Sequence, residues 1–112
     1  VAMKGRFLIH HPKDNVAVIL SESMKKGDTI EIGSRTIPLR ASIPFGHKVA
    51  IRDIPKGDYA VKYGQKIGKA KRDIHPGEHV HGHNLEDVVD ELRAEALNEA
   101  RIEIEDRRGK AS

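Results

Sequence analysis

The chain has 112 residues, enough for one domain with a modest core, and carries 20 Lys/Arg, 17 Asp/Glu and 7 His. It has no Cys, which excludes disulfides, thiolate zinc sites and cysteine nucleophiles, and at 4% aromatics with no Trp it lacks the stacking surface that single-strand RNA readers use. The net charge of +3 is mild, so a nucleic-acid partner is not expected, whereas a small anionic partner is compatible with it.

Val1 and Ala2 precede Met3, the expected natural start. No apolar run is long enough for a membrane span and no signal peptide is visible, so a cytoplasmic protein without a membrane partner is expected. Phe7-Leu8-Ile9 and Val16 to Leu20 read as short strands, with turn chemistry between them at Pro12-Lys13-Asp14-Asn15. His10 and His11 fall in that loop and are expected to be solvated. Further strands are expected at Thr29 to Ile32, Lys48 to Ile51, Tyr59 to Lys62, Lys66 to Ala70 and Glu78 to His83. Gly or Pro separates nearly all of them, as in a compact, mainly β domain.

One turn recurs. Asp53-Ile54-Pro55-Lys56-Gly57-Asp58 is echoed by Asp73-Ile74-His75-Pro76-Gly77-Glu78, and more weakly by Ser23-Met24-Lys25-Lys26-Gly27-Asp28. In each copy an apolar residue can anchor the turn, and a Gly can take positive φ. The repeat is read as structural and implies a pseudo-symmetric, folded-back β unit.

Two clusters can carry chemistry. Gly46 lets the chain turn so that His47 and Lys48 stand at the mouth of a strand, where His47 can move a proton and Lys48 can hold a carboxylate. His79-Val80-His81-Gly82-His83-Asn84 places three imidazoles at alternate positions. If that run is extended, His79, His81 and His83 form a ladder on one face, about 7 Å apart. Such a ladder suits a metal, an acid–base site or an anion; a surface strand with decorative histidines has the same pattern. Tyr63, bracketed by Gly64, either offers its phenol to a substrate or packs its ring.

After Asn84 the period changes. Leu85, Val88, Val89, Leu92, Ala96 and Ala100 recur at helical spacing, with Asn84 as a cap and Glu86 and Asp87 in the first turn. The expected organisation is a β domain over 1–84, an amphipathic helix over 85–106 and a tail over 107–112. The apolar stripe is left to the β core or to another chain.

The series Gly46-His47-Lys48-Val49-Ala50-Ile51-Arg52-Asp53-Ile54, Val61-Lys62-Tyr63-Gly64, Ile67-Gly68-Lys69-Ala70 and His79-Val80-His81-Gly82-His83-Asn84 resembles the SAF-type β-clip domain of the altronate/galactarate dehydratase family. That family also includes the small subunit of sulfolactate sulfo-lyase. The resemblance covers about Phe7 to Asn84 and implies a β-clip related in shape to the antifreeze-like domain of sialic acid synthases.

It also implies a share in a lyase that removes water or sulfite from a hydroxy-carboxylate by β-elimination, with a divalent metal, usually iron. A separate large subunit is then the expected partner, and a homo-oligomer is compatible with the chain. By motif, His47, His81 and His83 are the expected catalytic residues. Lys48, Tyr63 and Asn84 are expected to bind substrate, and His79, His81 and His83 to hold the metal. The isolated chain is expected to be inactive. The rival expectation is a non-catalytic β-clip module that binds a sugar acid or regulates a partner.

Overall fold

The computed structural model describes residues 4–87, which form nine short strands and no helix. β1 (Phe7–Leu8), β2 (Val16–Ile19), β5 (Lys48–Ala50) and β8 (His79–Val80) make a four-stranded antiparallel sheet in the order β1-β2-β5-β8. β3 (Thr29–Ile32) and β4 (Arg35–Pro38) form a hairpin. β6 (Tyr59–Lys62), β7 (Gln65–Ala70) and β9 (Leu85–Asp87) form a third antiparallel sheet.

The central strands are apolar on both faces because each face meets a different core. Ala17 and Ile19 of β2 and Val49 of β5 join Met24, Ile30, Ile37, Leu39, Ile43 and Ile51 in one cluster. Val16 and Ala50, one residue out of phase, join Ile54, Ala60, Ala70, Ile74 and Val80 in the other. Successive side chains of a strand point to opposite faces, so a run such as Val16-Ala17-Val18-Ile19 serves both cores at once. Each fully buried aliphatic side chain contributes roughly 1.5–3 kcal/mol of transfer free energy, and with no Trp these residues supply nearly all of it.

The repeated turn occurs three times with one geometry. Gly27, Gly57 and Gly77 have φ of 94°, 90° and 91°. In each copy the Gly N–H donates to a distant carbonyl, and the N–H of that same distant residue donates back to the acid after the Gly. Leu39 is so gripped by Gly27 and Asp28, Ala70 by Gly57 and Asp58, and Ala50 by Gly77 and Glu78. The anchors Met24, Ile54 and Ile74 are buried, and Ile54 and Ile74 bridge each other directly. The expected pseudo-symmetric turn is therefore present, and its function is to lock strand ends.

Two expectations need correction. β4 was not foreseen: Arg35 and Thr36 are exposed and Pro38 disfavours a strand, yet the two-residue link Gly33-Ser34, with Gly33 at φ 59°, folds it back on β3. The segment expected to open the helix at Leu85 is instead β9, paired Leu85↔Ala70, Glu86↔Lys69 and Asp87↔Gly68. Leu85 packs so closely over Gly68 that a Cβ there would collide with it, and this docking overrides the local helical period. The remainder of the expected helix, 88–106, and the tail, 107–112, lie outside the described residues.

Candidate metal centre and anion cleft

His47 and His79 meet because of strand register. Val49 pairs with His79 across β5 and β8, and His47 lies two residues before Val49, on the same side of the chain. Gly46, at φ 80°, turns the chain into β5, and Ile19 N–H donates to the His47 carbonyl at 2.9 Å. His47 Nδ1 and His79 Nε2 are then 2.9 Å apart, so one ring carries the proton and the other accepts it.

The histidine run is not the extended ladder that its alternation implies. β8 ends at Val80, and His81 to Asn84 form a turn in which the His81 carbonyl accepts the N–H groups of both Asn84 and Leu85. The turn curls the imidazoles together. The His79–His81, His47–His81 and His47–His79 ring centres are 5.4, 5.0 and 5.1 Å apart, and His83 stands 5.6 Å from His79. One nitrogen from each of His47, His79 and His81 falls within 4.8 Å of the others. The trio that can share an ion is therefore His47, His79 and His81; His83, expected among the ligands, stands on the rim and outside that trio.

Burial first, then the neighbouring His47, His83 and His81 and the Lys48 charge, push the His79 pKa down to about 4. His79 is thus a neutral imidazole with a lone pair at neutral pH. Among the described residues no carboxylate pairs with these rings; the ion pairs there are Lys4–Glu31 and His75–Asp53.

Lys48 faces the other way, opposite Val80, into an open cleft of about 400 Å³ lined also by Ile67, His81, Gly82, Leu85 and Glu86. Burial, then the charge of Lys62, lowers the Lys48 pKa. The cleft therefore presents a half-buried ammonium, an exposed imidazole and the exposed Glu86 above aliphatic walls, and Lys48 is the group there that can hold a small carboxylate.

Asn84 is 1% exposed, and its carboxamide is fully engaged: Oδ1 accepts from His81 N–H at 3.0 Å and Nδ2 donates to the His79 carbonyl at 2.8 Å. In this structure the residue expected to bind substrate shapes the turn that presents His79 and His81. Tyr63 stands elsewhere, on the two-residue β6–β7 turn with Gly64, both at positive φ (57° and 72°). Its exposed ring stacks on His10 at 3.8 Å, and the His11 ring packs over Gly64. The histidine pair expected to be solvated is half-buried against this turn.

The residue that holds the turn was missed. Asp14, 1% exposed, accepts the N–H groups of His10, His11, Tyr63 and Gly64. Burial alone would raise its pKa, but these four donors hold it below the usual 3.8. Asn15 reinforces the junction, accepting from Val61 N–H and donating to the Tyr59 carbonyl. A signal was present in the sequence: an Asp closing a Pro-Lys turn is a frequent acceptor of backbone N–H groups.

Comparison with known proteins gives the chain's relatives. The altronate/galactarate dehydratase SAF domain profile matches residues 5–88. The chain is 42% identical over 82 residues to altronate dehydratase of Escherichia coli, a match covering 73% of this chain and 16% of that protein. It is 36% identical over 87 residues to altronate dehydratase of Bacillus subtilis, covering 78% of this chain and 17% of the relative. To (2R)-sulfolactate sulfo-lyase subunit alpha of Chromohalobacter salexigens it is 35% identical over 85 residues, covering 70% of this chain and 90% of that subunit. The match thus spans about a sixth of each altronate dehydratase and most of the sulfo-lyase subunit.

Proposed function

This chain belongs to the altronate/galactarate dehydratase SAF domain family, and from that premise we propose that it is the small, site-bearing part of a metal-dependent lyase assembly completed by a separate large subunit. The substrate class is a hydroxy-carboxylate, and the reaction is β-elimination of water or sulfite. The observation that carries the reading is the His47–His79–His81 trio, three imidazole nitrogens close enough to share one ion, beside the Lys48 cleft. Its support for a partner is the match over 90% of a protein named as subunit alpha.

The donor set fits a divalent transition ion. Three imidazole nitrogens suit iron, zinc, nickel or copper, and the depressed His79 pKa keeps its nitrogen unprotonated for ligation. When bound, such an ion would polarise a substrate oxygen as a Lewis acid. The chain's own residues supply the rest. Lys48 holds the carboxylate in the cleft. Asn84 fixes the turn so that His79 and His81 face His47. His83, on the rim and outside the trio, is the imidazole left for proton transfer to the substrate. Leu85, Val80 and Ile67 exclude water from one side of the cleft.

The test has two arms. Titrating the full chain with Co(II) should give visible absorption of an imidazole-bound ion, lost in His79→Ala. Reconstitution with the encoded large subunit should then give turnover of altronate, galactarate or sulfolactate, with none from the chain alone. Absence of metal uptake by both chain and assembly would overturn the metal centre. Steady turnover by the isolated chain would overturn the two-part lyase.

A further inference from the structure

Two lysines from different sheets extend the same hydrophobic layer. Ala50 of β5 and Ala60 of β6 both lie in the core cluster of Ile54, Ile74 and Val80. Lys48 comes two residues before Ala50 and Lys62 two residues after Ala60, so strand alternation turns both stems to the side of that cluster. β6 is regular over this stretch. The bulge lies on β7, where Ile67 is the extra residue between the Ala60↔Gly68 and Val61↔Lys66 pairs. Ile67 packs on the same cluster and is a wall of the Lys48 cleft. Lys48 therefore stands in the cleft, and Lys62 stands beside its Ile67 wall, at the mouth.

Both lysines are half-buried, and neither belongs to an ion pair among the described residues. The Lys62 charge reaches Lys48 and is, after burial, the second cause that lowers its pKa. Two like charges held near each other without a counter-ion destabilise the site, and an anion shared between them removes that repulsion. The Lys62 ammonium also lies 5.2 Å from the centre of the exposed Tyr63 ring, a contact that orients the charge without neutralising it. Glu86, the carboxylate among the described residues of the cleft, is exposed and stands opposite Lys69 across β7 and β9.

We propose that the cleft is built for a dianion: Lys48 holds one acidic group of the substrate and Lys62 the other, which makes Lys62 the residue that prefers a dicarboxylate or a sulfo-carboxylate over a monocarboxylate. The inference deepens the lyase reading and rests on it for the identity of the ligand. A monocarboxylate satisfies Lys48 and leaves the Lys62 charge at the mouth unanswered.

The experiment titrates the full chain at low ionic strength with two matched pairs of acids. Galactarate is set against galactonate, which carries a hydroxymethyl group in place of one carboxylate, and sulfolactate against lactate, which lacks the sulfonate. Binding is read by calorimetry. The dianion should bind about fivefold more tightly than its monoanion. Lys62→Gln should bring the dianion down to the affinity of the monoanion and leave the monoanion within about twofold. Lys62→Arg should keep the preference, and Lys48→Gln should weaken both members of a pair. Lys66→Gln removes the same charge from the same hairpin, but beside Tyr59, and should leave the preference intact. A Lys62-dependent preference in either pair supports the proposal, and the pair with the larger preference names the second acidic group. A preference that survives Lys62→Gln, one that Lys66→Gln removes equally, or binding of none of the four acids would overturn it. The lyase reading fails separately: no turnover by the assembly with the large subunit, beside an intact Lys62-dependent preference, removes the elimination and leaves the dianion site standing.

Discussion

Two regions of this molecule gather histidines beside a strand end, and they do so by opposite means. Around Asp14, a buried carboxylate takes four backbone N–H groups, and His10 and His11 pack their rings on the turn so formed. Around His79, four imidazoles converge with no carboxylate of the described residues among them, and the contact between His47 and His79 is nitrogen to nitrogen. The first region is complete in its hydrogen bonds, with the carboxylate taken up by backbone donors. The second is incomplete in that sense, and three of its ring nitrogens lie close enough to share an ion. Histidine content therefore does not mark the site; the convergence of ring nitrogens does.

Breaking the incomplete region should cost activity rather than fold. His81→Ala, measured in the assembled enzyme, should lower turnover by roughly 10²-fold or more while the melting temperature changes little. A large drop in melting temperature would make His81 structural and remove the contrast. Breaking the complete region should do the reverse. Asp14→Ala leaves four N–H groups without their acceptor and should cost on the order of 3 kcal/mol in denaturant unfolding.

The same carboxylate predicts a pH dependence. Its folded pKa lies below 3.8, so the stabilisation is full above 3.8 and is lost as pH falls through the folded value. Asp14→Asn should flatten that acid limb of the unfolding curve.

His79 gives a second pH signature on the other side of the comparison. Its folded pKa is about 4 against an ordinary 6.5, so the folded state disfavours the proton. Stability from this group is full above 6.5 and declines as pH falls toward 4. Nuclear magnetic resonance titration should show the His79 ring charging well after an exposed imidazole; a midpoint near 6.5 would contradict the packing described. The smallest effect belongs to His75, whose exposed ring pairs with the exposed Asp53. His75→Ala should stay within about 0.5 kcal/mol of wild type and leave turnover unchanged, as a control for both regions.

β9 sharpens the boundary of the domain. Truncation after Asp87 should leave a cooperatively folding β domain by circular dichroism. Truncation after Asn84 removes a strand and the Leu85 wall of the cleft, and should broaden or abolish the transition.

Sequence reasoning reached what depends on local pattern. The apolar runs of β2 and β5 and the three echoed turns announce themselves, because strand alternation and Gly-closed turns are short-range. It failed where position depends on a distant partner. β9 sits inside a helical period, and only its docking on β7 reveals a strand. The part of His47 in the trio follows from β5–β8 pairing across 32 residues, which no local spacing records. The contraction of the histidine run into a turn follows from the two bonds made by the Asn84 carboxamide, and an Asn after a His can as readily cap a helix.

The three equivalent turns also bear on the order in which this domain assembles. Gly27 reaches Leu39 and Gly57 reaches Ala70 within neighbouring hairpins, whereas Gly77 must reach back to Ala50 over a span about twice as long, at a higher entropic cost of closure. The first two ties are thus available early, and the third awaits the meeting of both halves of the chain. His79 follows that third tie by two residues. The histidine cluster therefore comes together after the two hairpin ties, so an ion that needs all three nitrogens of the trio would find them gathered only once both halves of the chain have met.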